Sequence, residues 1–279
     1  MFKWASFLGP TFESGSTLLK IEICPGLPIF FRSMKILYPI LLSLGLCAAL
    51  VAKEKVNVLL ISGQNNHNWK VTTPLMVESL DTTGLFEVTV TNEIEKMEPA
   101  SLVDFDVIVS NWNLFKFRKG IPEGLRWSKE LRDAYVNFVA NGKGHVAVHA
   151  GSSTFYDWSD YQEICVATWT KGTHHGPKHE FEVRIEDVVH PVTEGLKNFR
   201  KWDELWEKIY ISSEEATVLT SNYASEEFKG DNVWEPSTVV SKFGKGRTAY
   251  TSLGHDDKSF KSAEFRVLLA RLVEWAATG

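Results

Sequence analysis

The chain has 279 residues, a formal net charge of -5 and 44% hydrophobic residues, which is the composition of an ordinary globular protein. No stretch is rich in Lys and Arg, which argues against nucleic acid as the main partner, because phosphate binding depends on clustered positive charge. The length suits one large α/β domain or two small ones.

A secretory signal peptide is predicted over residues 34–52. Met34 and Lys35 provide the basic start, an apolar run follows, and small residues end the segment, which places cleavage near Ala52. A transmembrane anchor is the alternative. The signal peptide is favoured because the apolar run is short for a bilayer span and contains Pro39.

The expected mature protein is residues 53–279, a single domain that is periplasmic or secreted, without stable membrane insertion after signal cleavage. Residues 1–33 precede a complete signal and are interpreted as an extension from a start site assigned too early. Of the three cysteines, only Cys165 remains after processing, which excludes an internal disulfide and a thiolate metal cluster. Cys165 lies in an amphipathic stretch, where a small buried residue is favoured over a nucleophile.

Strands and helices alternate through the first half of the mature chain. Apolar runs predict strands over Val56–Ser62, Phe86–Val90, Phe105–Ser110 and Val146–Val148. Helices are predicted from Thr72-Thr73 to Gly84 and over Ser128–Val139. Strands that alternate with helices at this spacing predict a doubly wound, mostly parallel sheet with right-handed crossovers.

The second half shows a looser pattern. An exposed-edge strand is predicted over Glu180–Ile185, and His190-Pro191-Val192-Thr193 is read as a turn and helix start. Later strands are predicted at Thr217–Leu219, Ser237–Ser241 and Arg247–Ser252. A closing helix buries Phe265, Leu268, Leu269, Leu272 and Trp275.

His149 stands at the sharpest change of pattern. The buried strand Val146–Val148 precedes it, and Gly151-Ser152-Ser153-Thr154 follows with turn and N-cap residues. Ligands of open α/β sheets bind at the carboxyl ends of strands, where other α/β enzymes place a nucleophile. A buried histidine bonded to the backbone is the alternative interpretation.

Other histidines are expected near the same edge. His67 and His255 follow predicted strands, and His174 and His175 lie in a loop after the segment that His149 opens. Neutral imidazoles with a carboxylate suit zinc or a similar divalent metal, and His149, His175 and His255 are the candidate ligands. The same residues can equally form a metal-free acid/base pair.

Several short motifs, taken in order, carry a family resemblance. They are Ile61-Ser62-Gly63 with His67, Gly144 to Ala150, Thr173-His174-His175-Gly176, His190 to Thr193, Asp203-Glu204-Leu205 and Gly244 to Asp256. Together they resemble the ThuA-like, trehalose-utilisation family from about Val56 to Gly279. No single motif is specific.

The resemblance implies a class I glutamine amidotransferase-like fold, which is a flavodoxin-like three-layer α/β/α sandwich. True glutaminases of this fold carry a cysteine at the strand–turn–helix elbow and a histidine after a late strand. Here His149 stands at the elbow, and His255 with Asp256 or Asp257 stands after the late strand. The elbow thiolate is missing, so a Cys-dependent glutaminase is not expected.

The resemblance also implies a carbohydrate substrate, either a disaccharide or a 3-keto-glycoside made by a sugar oxidoreductase of the same pathway. A hydrolase or lyase that cleaves the glycosidic link needs a base, for which His149 or His255 is the candidate, and an electrophile. Glu204 is the candidate acid/base carboxylate, oriented by Asp203. The alternative for these two carboxylates is a solvated helix face.

Substrate contacts are expected from His67, Trp69, Trp112, Asp203 and Asp256. Trp169 is a further candidate for a sugar subsite, although core packing is the commoner use of tryptophan. A non-catalytic sugar-binding or accessory module is the alternative to an enzyme. An open pocket shared by His149, His255 and Glu204 would favour chemistry, and a His149 sealed in the core would favour binding or scaffolding.

Overall fold

The computed structural model describes residues 54–117 and 119–279. The predicted signal peptide over residues 34–52, its cleavage near Ala52 and the extension over residues 1–33 lie outside the described residues. Within the described ranges, no helix is both long enough and apolar enough to cross a bilayer.

Thirteen strands are present in the described part of the chain, nine of them in one central sheet. The central sheet contains β1 (Val56–Ile61), β2 (Phe86–Thr91), β3 (Val107–Ser110), β4 (Gly144–Val148), β7 (His179–Ile185), β8 (Phe199–Asp203), β11 (Thr217–Ala224), β12 (Val233–Phe243) and β13 (Gly246–Thr251). Two short ribbons pair β5 (Ala167–Thr168) with β10 (Tyr210–Ile211), and β6 (His174–His175) with β9 (Trp206–Glu207).

The central sheet has a parallel half and an antiparallel half. Its strand order is β2-β1-β3-β4-β13-β12-β11-β7-β8. The pairings from β2 to β13 are parallel, and those from β13 to β8 are antiparallel. The carboxyl ends of β1, β4, β13 and β8 consequently lie at the same edge.

Among the described residues, four α-helices cover the two faces of this sheet. They are α1 (Trp69–Asp81), α2 (Lys129–Ala140), α3 (Ser159–Cys165) and α4 (Ala263–Thr278). Side chains of β1 alternate between two buried cores, with Val58 and Leu60 facing α1 and α4, and Leu59 and Ile61 facing α2 and α3. Each such buried aliphatic side chain contributes about 1.5–3 kcal/mol. The predicted α/β/α sandwich is thereby confirmed.

Helix α1 begins at Trp69, one turn earlier than the Thr72-Thr73 start that the sequence predicted. The carbonyl of Asn68 accepts hydrogen bonds from the backbone N–H groups of Val71 and Thr72, so the first turn forms before Pro74. Pro74 lies inside the helix instead of at its first position.

Two predictions for the second half are wrong. Strand β7 is not an edge strand, because it pairs with β11 on one side and β8 on the other. No helix begins at His190, because Asp187 Oδ1 accepts the backbone N–H groups of Val189 and His190 and closes a turn instead.

The segment that carries Asp203 and Glu204 is extended, not helical. Asp203 ends β8, and Glu204 follows it directly. Both side chains are buried, with 0% and 6% of their surfaces exposed, so the alternative of a solvated helix face is wrong.

Candidate functional site

Three histidine rings meet at the carboxyl edge of the central sheet. His67 comes from the loop after β1, His149 directly follows β4, and His255 follows β13. The ring of His67 lies 4.6 Å from each of the other two, centroid to centroid, and His149 and His255 are 5.2 Å apart. All three pairs of rings are arranged edge to face.

The turn at His149 has the predicted sharp geometry. His149 has φ +49°, a left-handed conformation that non-glycine residues rarely adopt. Two residues later, a Cβ on Gly151 would lie 2.1 Å from the carbonyl oxygen of Ser110 on β3. Only glycine fits there, so close packing against the neighbouring strand fixes the elbow that presents His149.

Two of the three imidazoles are oriented by a hydrogen bond at Nδ1. His149 Nδ1 lies 2.6 Å from the carbonyl oxygen of Ser252, and His67 Nδ1 lies 3.2 Å from Asn65 Oδ1. His255 Nδ1 lies 3.4 Å from Asp256 Oδ2. The acceptors at His149 and His67 assign the proton of these two rings to Nδ1 and leave Nε2 with a free lone pair, which is the arrangement that metal-binding histidines show. His255 Nδ1 forms no hydrogen bond among the described residues.

The environment holds the inner imidazoles neutral. Burial, with the neighbouring rings of His149 and His255, lowers the pKa of His67 to about 2. Burial and the ring of His255 likewise lower the pKa of His149 well below its ordinary value. His149 Nε2 is fully buried and has no hydrogen-bond partner among the described residues. A buried lone pair without a donor is suited to a cation.

Glu204 supplies the carboxylate of the cluster. Its Oε2 lies 3.6 Å from His149 Nε2 and accepts a hydrogen bond of 2.9 Å from Trp206 Nε1. Its Oε1 lies 3.5 Å from His255 Nε2 and 3.4 Å from His175 Nδ1. The carboxylate therefore joins the inner histidines to the half-exposed His175.

His67, His149, Glu204 and His255 can hold a divalent metal ion. One donor atom from each residue lies within 4.8 Å of all the others. Three neutral imidazole nitrogens and one carboxylate oxygen are a donor set that suits zinc. The group contains His67 and not His175, which was predicted as a ligand from the sequence and whose Nδ1 lies 2.8 Å from the carbonyl oxygen of Gly176.

Asp203 holds the backbone around the site through hydrogen bonds. Its carboxylate accepts hydrogen bonds from the N–H groups of Glu204, Gly254 and His255, and from Lys201 Nζ. Burial raises the pKa of Asp203, but the Lys201 ammonium and the backbone donors outweigh it and lower the pKa overall. Asp203 is a positioning residue, and its complete burial excludes the substrate contact that the sequence predicted.

A small pocket of about 80 Å³ opens over the carboxylate. Its lining includes His67, Glu204 and His175, with aromatic walls from Phe115, Trp169 and Trp206. Trp169 lies edge-to-face on Trp206 at 4.8 Å and on His175 at 5.8 Å. The pocket admits one end of a small molecule between aromatic rings and the polar cluster.

The other predicted contacts lie elsewhere. Trp112 is only 1% exposed and packs against Trp127 and Phe155, so it is not retained as a sugar contact. Trp69 begins α1 and does not line the pocket. Asp256 accepts a hydrogen bond of 3.0 Å from Lys178, and its Oδ2 lies 3.4 Å from His255 Nδ1.

Asn65 and Trp206 are site residues that the sequence did not single out. Asn65 Oδ1 accepts hydrogen bonds from Asn113 Nδ2 and the backbone N–H of His67, while its Nδ2 donates to the carbonyl of Asn111. The amide side chains that follow two neighbouring strands in the sequence could have pointed to Asn65. No sequence signal pointed to Trp206, because its role depends on a hydrogen bond to Glu204, two residues away.

The chain is similar to known proteins over most of the described region. The family model described as ThuA, trehalose utilisation, matches residues 57–276. A ThuA-like protein from Parabacteroides merdae is 27% identical with a TM-score of 0.70, covering 81% of this chain and 91% of that one. No curated protein sequence gives a significant match.

Two more distant structures show the same fold. A ThuA-like protein from Bacteroides uniformis is 20% identical with a TM-score of 0.61, covering 82% of this chain and 94% of that one. A protein from Salmonella typhimurium, described as cytoplasmic, is 14% identical with a TM-score of 0.54, covering 79% of this chain and 98% of that one.

Proposed function

This chain belongs to the ThuA family of trehalose utilisation, and on that premise we propose that it is an enzyme that cleaves disaccharide-derived 3-keto-glycosides. One observation carries the proposal, namely the group of three imidazoles and one carboxylate, of which His67 and Glu204 line an aromatic-walled pocket. His149 is only 2% exposed, which is the burial that favours binding or scaffolding, so in this proposal it acts through a metal ion and not by direct contact with the sugar.

The pocket suits the reacting end of a sugar. Trp169, Trp206 and Phe115 offer apolar surfaces on which the C–H faces of a sugar ring can pack. The cavity of about 80 Å³ is too small for a whole disaccharide. The second sugar unit therefore remains in the open mouth, beside the half-exposed His175.

The proposed reaction is an elimination. A carbonyl at C3 acidifies the proton on C2, and its removal places an electron pair on the C3 oxygen. Return of that pair forms a C1–C2 double bond and breaks the bond from C1 to the glycosidic oxygen. The leaving sugar takes a proton on that oxygen, so one base and one acid are required.

Glu204 and His175 fill these two roles in the proposal. Trp206 fixes Glu204 Oε2, so Oε1 is the atom left to accept the C2 proton. His175, 3.4 Å from Oε1 and half-exposed, can exchange protons with solvent and protonate the leaving oxygen. His149 and His255 are assigned to a metal instead of the base, because their Nε2 atoms lie 3.6 Å and 3.5 Å from the Glu204 carboxylate and both residues belong to the group of possible donors.

A divalent ion such as zinc, held by His67, His149 and His255, would polarise the C3 carbonyl and stabilise negative charge on its oxygen. The residues fit this group because the buried Nε2 of His149 has no protein donor within the described ranges.

We also propose that the protein is exported and works after a sugar oxidoreductase. The signal-peptide pattern of residues 34–52 supports export. The chemistry of the substrate supports an oxidoreductase as the preceding enzyme, because a 3-keto sugar must come from oxidation of a secondary hydroxyl. Sequencing of the amino terminus of protein recovered from its native cell tests export, and a start at Lys53 is expected.

The enzyme proposal is tested by metal analysis together with turnover. Purified protein is stripped with a chelator, reloaded with zinc, and assayed on 3-keto-trehalose and on trehalose. We expect about one zinc per chain and cleavage of the keto sugar only. The His149→Ala and His255→Ala variants should lose both metal and activity while they remain folded.

His174→Ala is the matched control, since His174 adjoins His175 but lies outside the cluster. It should keep metal and most activity. Sugar binding without turnover by the zinc-loaded protein would contradict the enzyme proposal and indicate a sugar-binding module. Turnover by metal-free protein would refute the role of the metal, and the mechanism would then depend on imidazole and carboxylate groups alone.

A further inference from the structure

The loop between β1 and α1 carries three asparagines with different surroundings. Asn65 is buried, and its carboxamide connects neighbouring loops through hydrogen bonds. Asn68 is exposed at the start of α1, where its side chain forms no capping hydrogen bond. Asn66 differs from both, because it is partly buried and lines the pocket over Glu204.

The carboxamide of Asn66 is unpaired within the described part of the chain. Its Oδ1 is buried without a donor, and its Nδ2 forms no hydrogen bond to any described residue. An unpaired buried amide costs free energy, and native proteins keep few such groups. Because no hydrogen bond fixes the plane of this amide, rotation about the Cβ–Cγ bond can turn either its oxygen or its nitrogen toward the pocket.

Asn66 adjoins the groups to which the reaction is assigned. It directly precedes His67 in the sequence, and His67, His175 and Glu204 line the same pocket. In the proposed function, on which this inference rests, the keto ring enters this pocket with its C3 carbonyl toward the histidines. Such a ring carries one hydroxyl on each carbon beside the carbonyl, at C2 and at C4. An amide next to His67 is therefore suited to meet one of these hydroxyls.

The chemistry of a carboxamide also fits a sugar hydroxyl. Its oxygen accepts a hydrogen bond and its nitrogen donates one, so it pairs with an O–H group in either sense. The aromatic walls from Phe115 and Trp169 pack on C–H faces and do not distinguish one hydroxyl from another. Among the described residues of the lining, Ser153 also carries an uncharged polar side chain, but it is only 2% exposed. Asn66 is therefore the better candidate for recognition.

We propose that Asn66 determines the specificity of the site by binding the hydroxyl beside the C3 carbonyl of the keto sugar. The site then accepts a ring that carries this hydroxyl and rejects the corresponding deoxy ring, because the carboxamide would be left unpaired in the occupied pocket. Asn66 takes no part in proton transfer. It affects which sugar is cleaved, and the reaction itself stays with Glu204 and His175.

The test combines altered sugars with an altered side chain. Zinc-loaded wild-type protein and the Asn66→Ala variant are assayed on methyl 3-keto-α-glucoside and on its 2-deoxy and 4-deoxy analogues. The wild-type kcat/KM should fall by at least about tenfold for at least one of the two deoxy sugars. Asn66→Ala should show this loss already with the parent sugar, and its kcat/KM for that deoxy sugar should lie within about threefold of the parent value.

Two further measurements do not depend on turnover. Titration calorimetry with methyl α-glucoside and its deoxy analogues, which carry no keto group to support cleavage, should give the same pattern in Kd. The melting temperature of sugar-free Asn66→Ala should equal or exceed that of the wild type, because the substitution removes an unpaired buried group. Asn65→Ala should lower it by about 5 °C or more. A purely structural Asn66 would behave like Asn65.

Asn68→Ala is the matched control, since Asn68 lies in the same loop but outside the pocket lining. It should leave each kcat/KM within about twofold of the wild-type value. The zinc affinity of Asn66→Ala should stay within about threefold of the wild-type affinity, which would exclude a displaced His67 as the cause.

The outcomes separate the role of Asn66 from the proposed function. Undiminished turnover of both deoxy sugars by the wild type, or an undiminished preference in Asn66→Ala, would overturn the role of Asn66 and leave the enzyme proposal intact. Binding of the glucosides without turnover of the keto sugar would refute the enzyme proposal, and the Kd values would then decide on Asn66. Absence of both binding and turnover would overturn both proposals.

Discussion

Asp203 Oδ1 accepts a hydrogen bond of 3.1 Å from the backbone N–H of His255. Three strands separate β8 from β13 in the sheet, so this contact requires the antiparallel half to curl back toward the carboxyl end of β13. The buried Lys201 neutralises the same carboxylate. One ion pair thus couples the curvature of the sheet to the position of a candidate metal ligand.

Replacement of Asp203 tests this coupling. Asp203→Asn keeps the shape but leaves the Lys201 ammonium buried without a counter-ion, which should lower the free energy of unfolding by about 3–5 kcal/mol. Urea denaturation measures the change. Asp133→Asn, which breaks an exposed pair with Lys129, should cost at most about 0.5 kcal/mol. Equal effects of the two substitutions would contradict the structural role of Asp203.

The elbow should tolerate no side chain at Gly151. A Cβ there would meet the carbonyl oxygen of Ser110, so Gly151→Ala should lower the free energy of unfolding by about 1–3 kcal/mol and displace His149. Gly124→Ala is the control, because no atom lies within 4 Å of its added Cβ. Thermal melts and zinc titration of both variants check this, and a stable, zinc-binding Gly151→Ala protein would refute the packing argument.

His67 and His175 should differ in their effect on metal affinity. His67→Gln removes a nitrogen of the donor group and should weaken zinc binding by about tenfold or more. His175→Gln lies outside the group and should change zinc affinity by less than about threefold. Competition with a chromophoric chelator measures both values, and the reverse order would restore His175 as the ligand.

His145 should make the fold sensitive to acid. Burial lowers its pKa to about 3, below the ordinary 6.5, so between these values the unfolded chain binds a proton that the folded chain does not. The contribution of neutral His145 to the free energy of unfolding is therefore complete above about pH 6.5 and is lost as the pH drops toward 3. His145→Leu should remove about 2 kcal/mol of the loss between pH 7.5 and pH 5. Unfolding free energies at the two pH values test it, and an unchanged difference would show that His145 does not titrate this way.

Cys165 should be chemically silent. It is fully buried at the end of α3, and burial raises the pKa of its thiol. We expect no alkylation of Cys165 by iodoacetamide in the folded protein, with peptide mapping as the readout. Cys165→Ala should keep its activity, and complete inactivation of this variant in a folded state would indicate a thiol mechanism.

Local patterns predicted the parallel half of the sheet well. Val56–Ile61, Val107–Ser110 and Gly144–Val148 are buried on both faces and therefore read as continuous apolar runs. The site histidines were found because each follows a strand. Boundaries failed where a side chain or carbonyl outside the pattern decided them, as Asn68 does for α1 and Asp187 for the turn at His190.

The antiparallel half was less accessible to sequence reasoning. The burial of Asp203 depends on Lys201 two residues earlier and on backbone donors about fifty residues later, which no local pattern shows. No local pattern shows that His67, and not His175, belongs to the group of possible metal donors. Trp112 looked like a loop residue, but its position is set by the aromatic cluster of Trp127 and Phe155.

The place of β13 in the sheet has a consequence for biosynthesis. It is the last strand along the described chain, yet it lies between β4 and β12 and is the only strand that joins the two halves of the sheet. While the ribosome is still making residues 54–245, β4 and β12 each expose an unpaired edge. The nascent chain therefore completes its sheet only after β13 emerges, so chains that stop before Gly246 should aggregate.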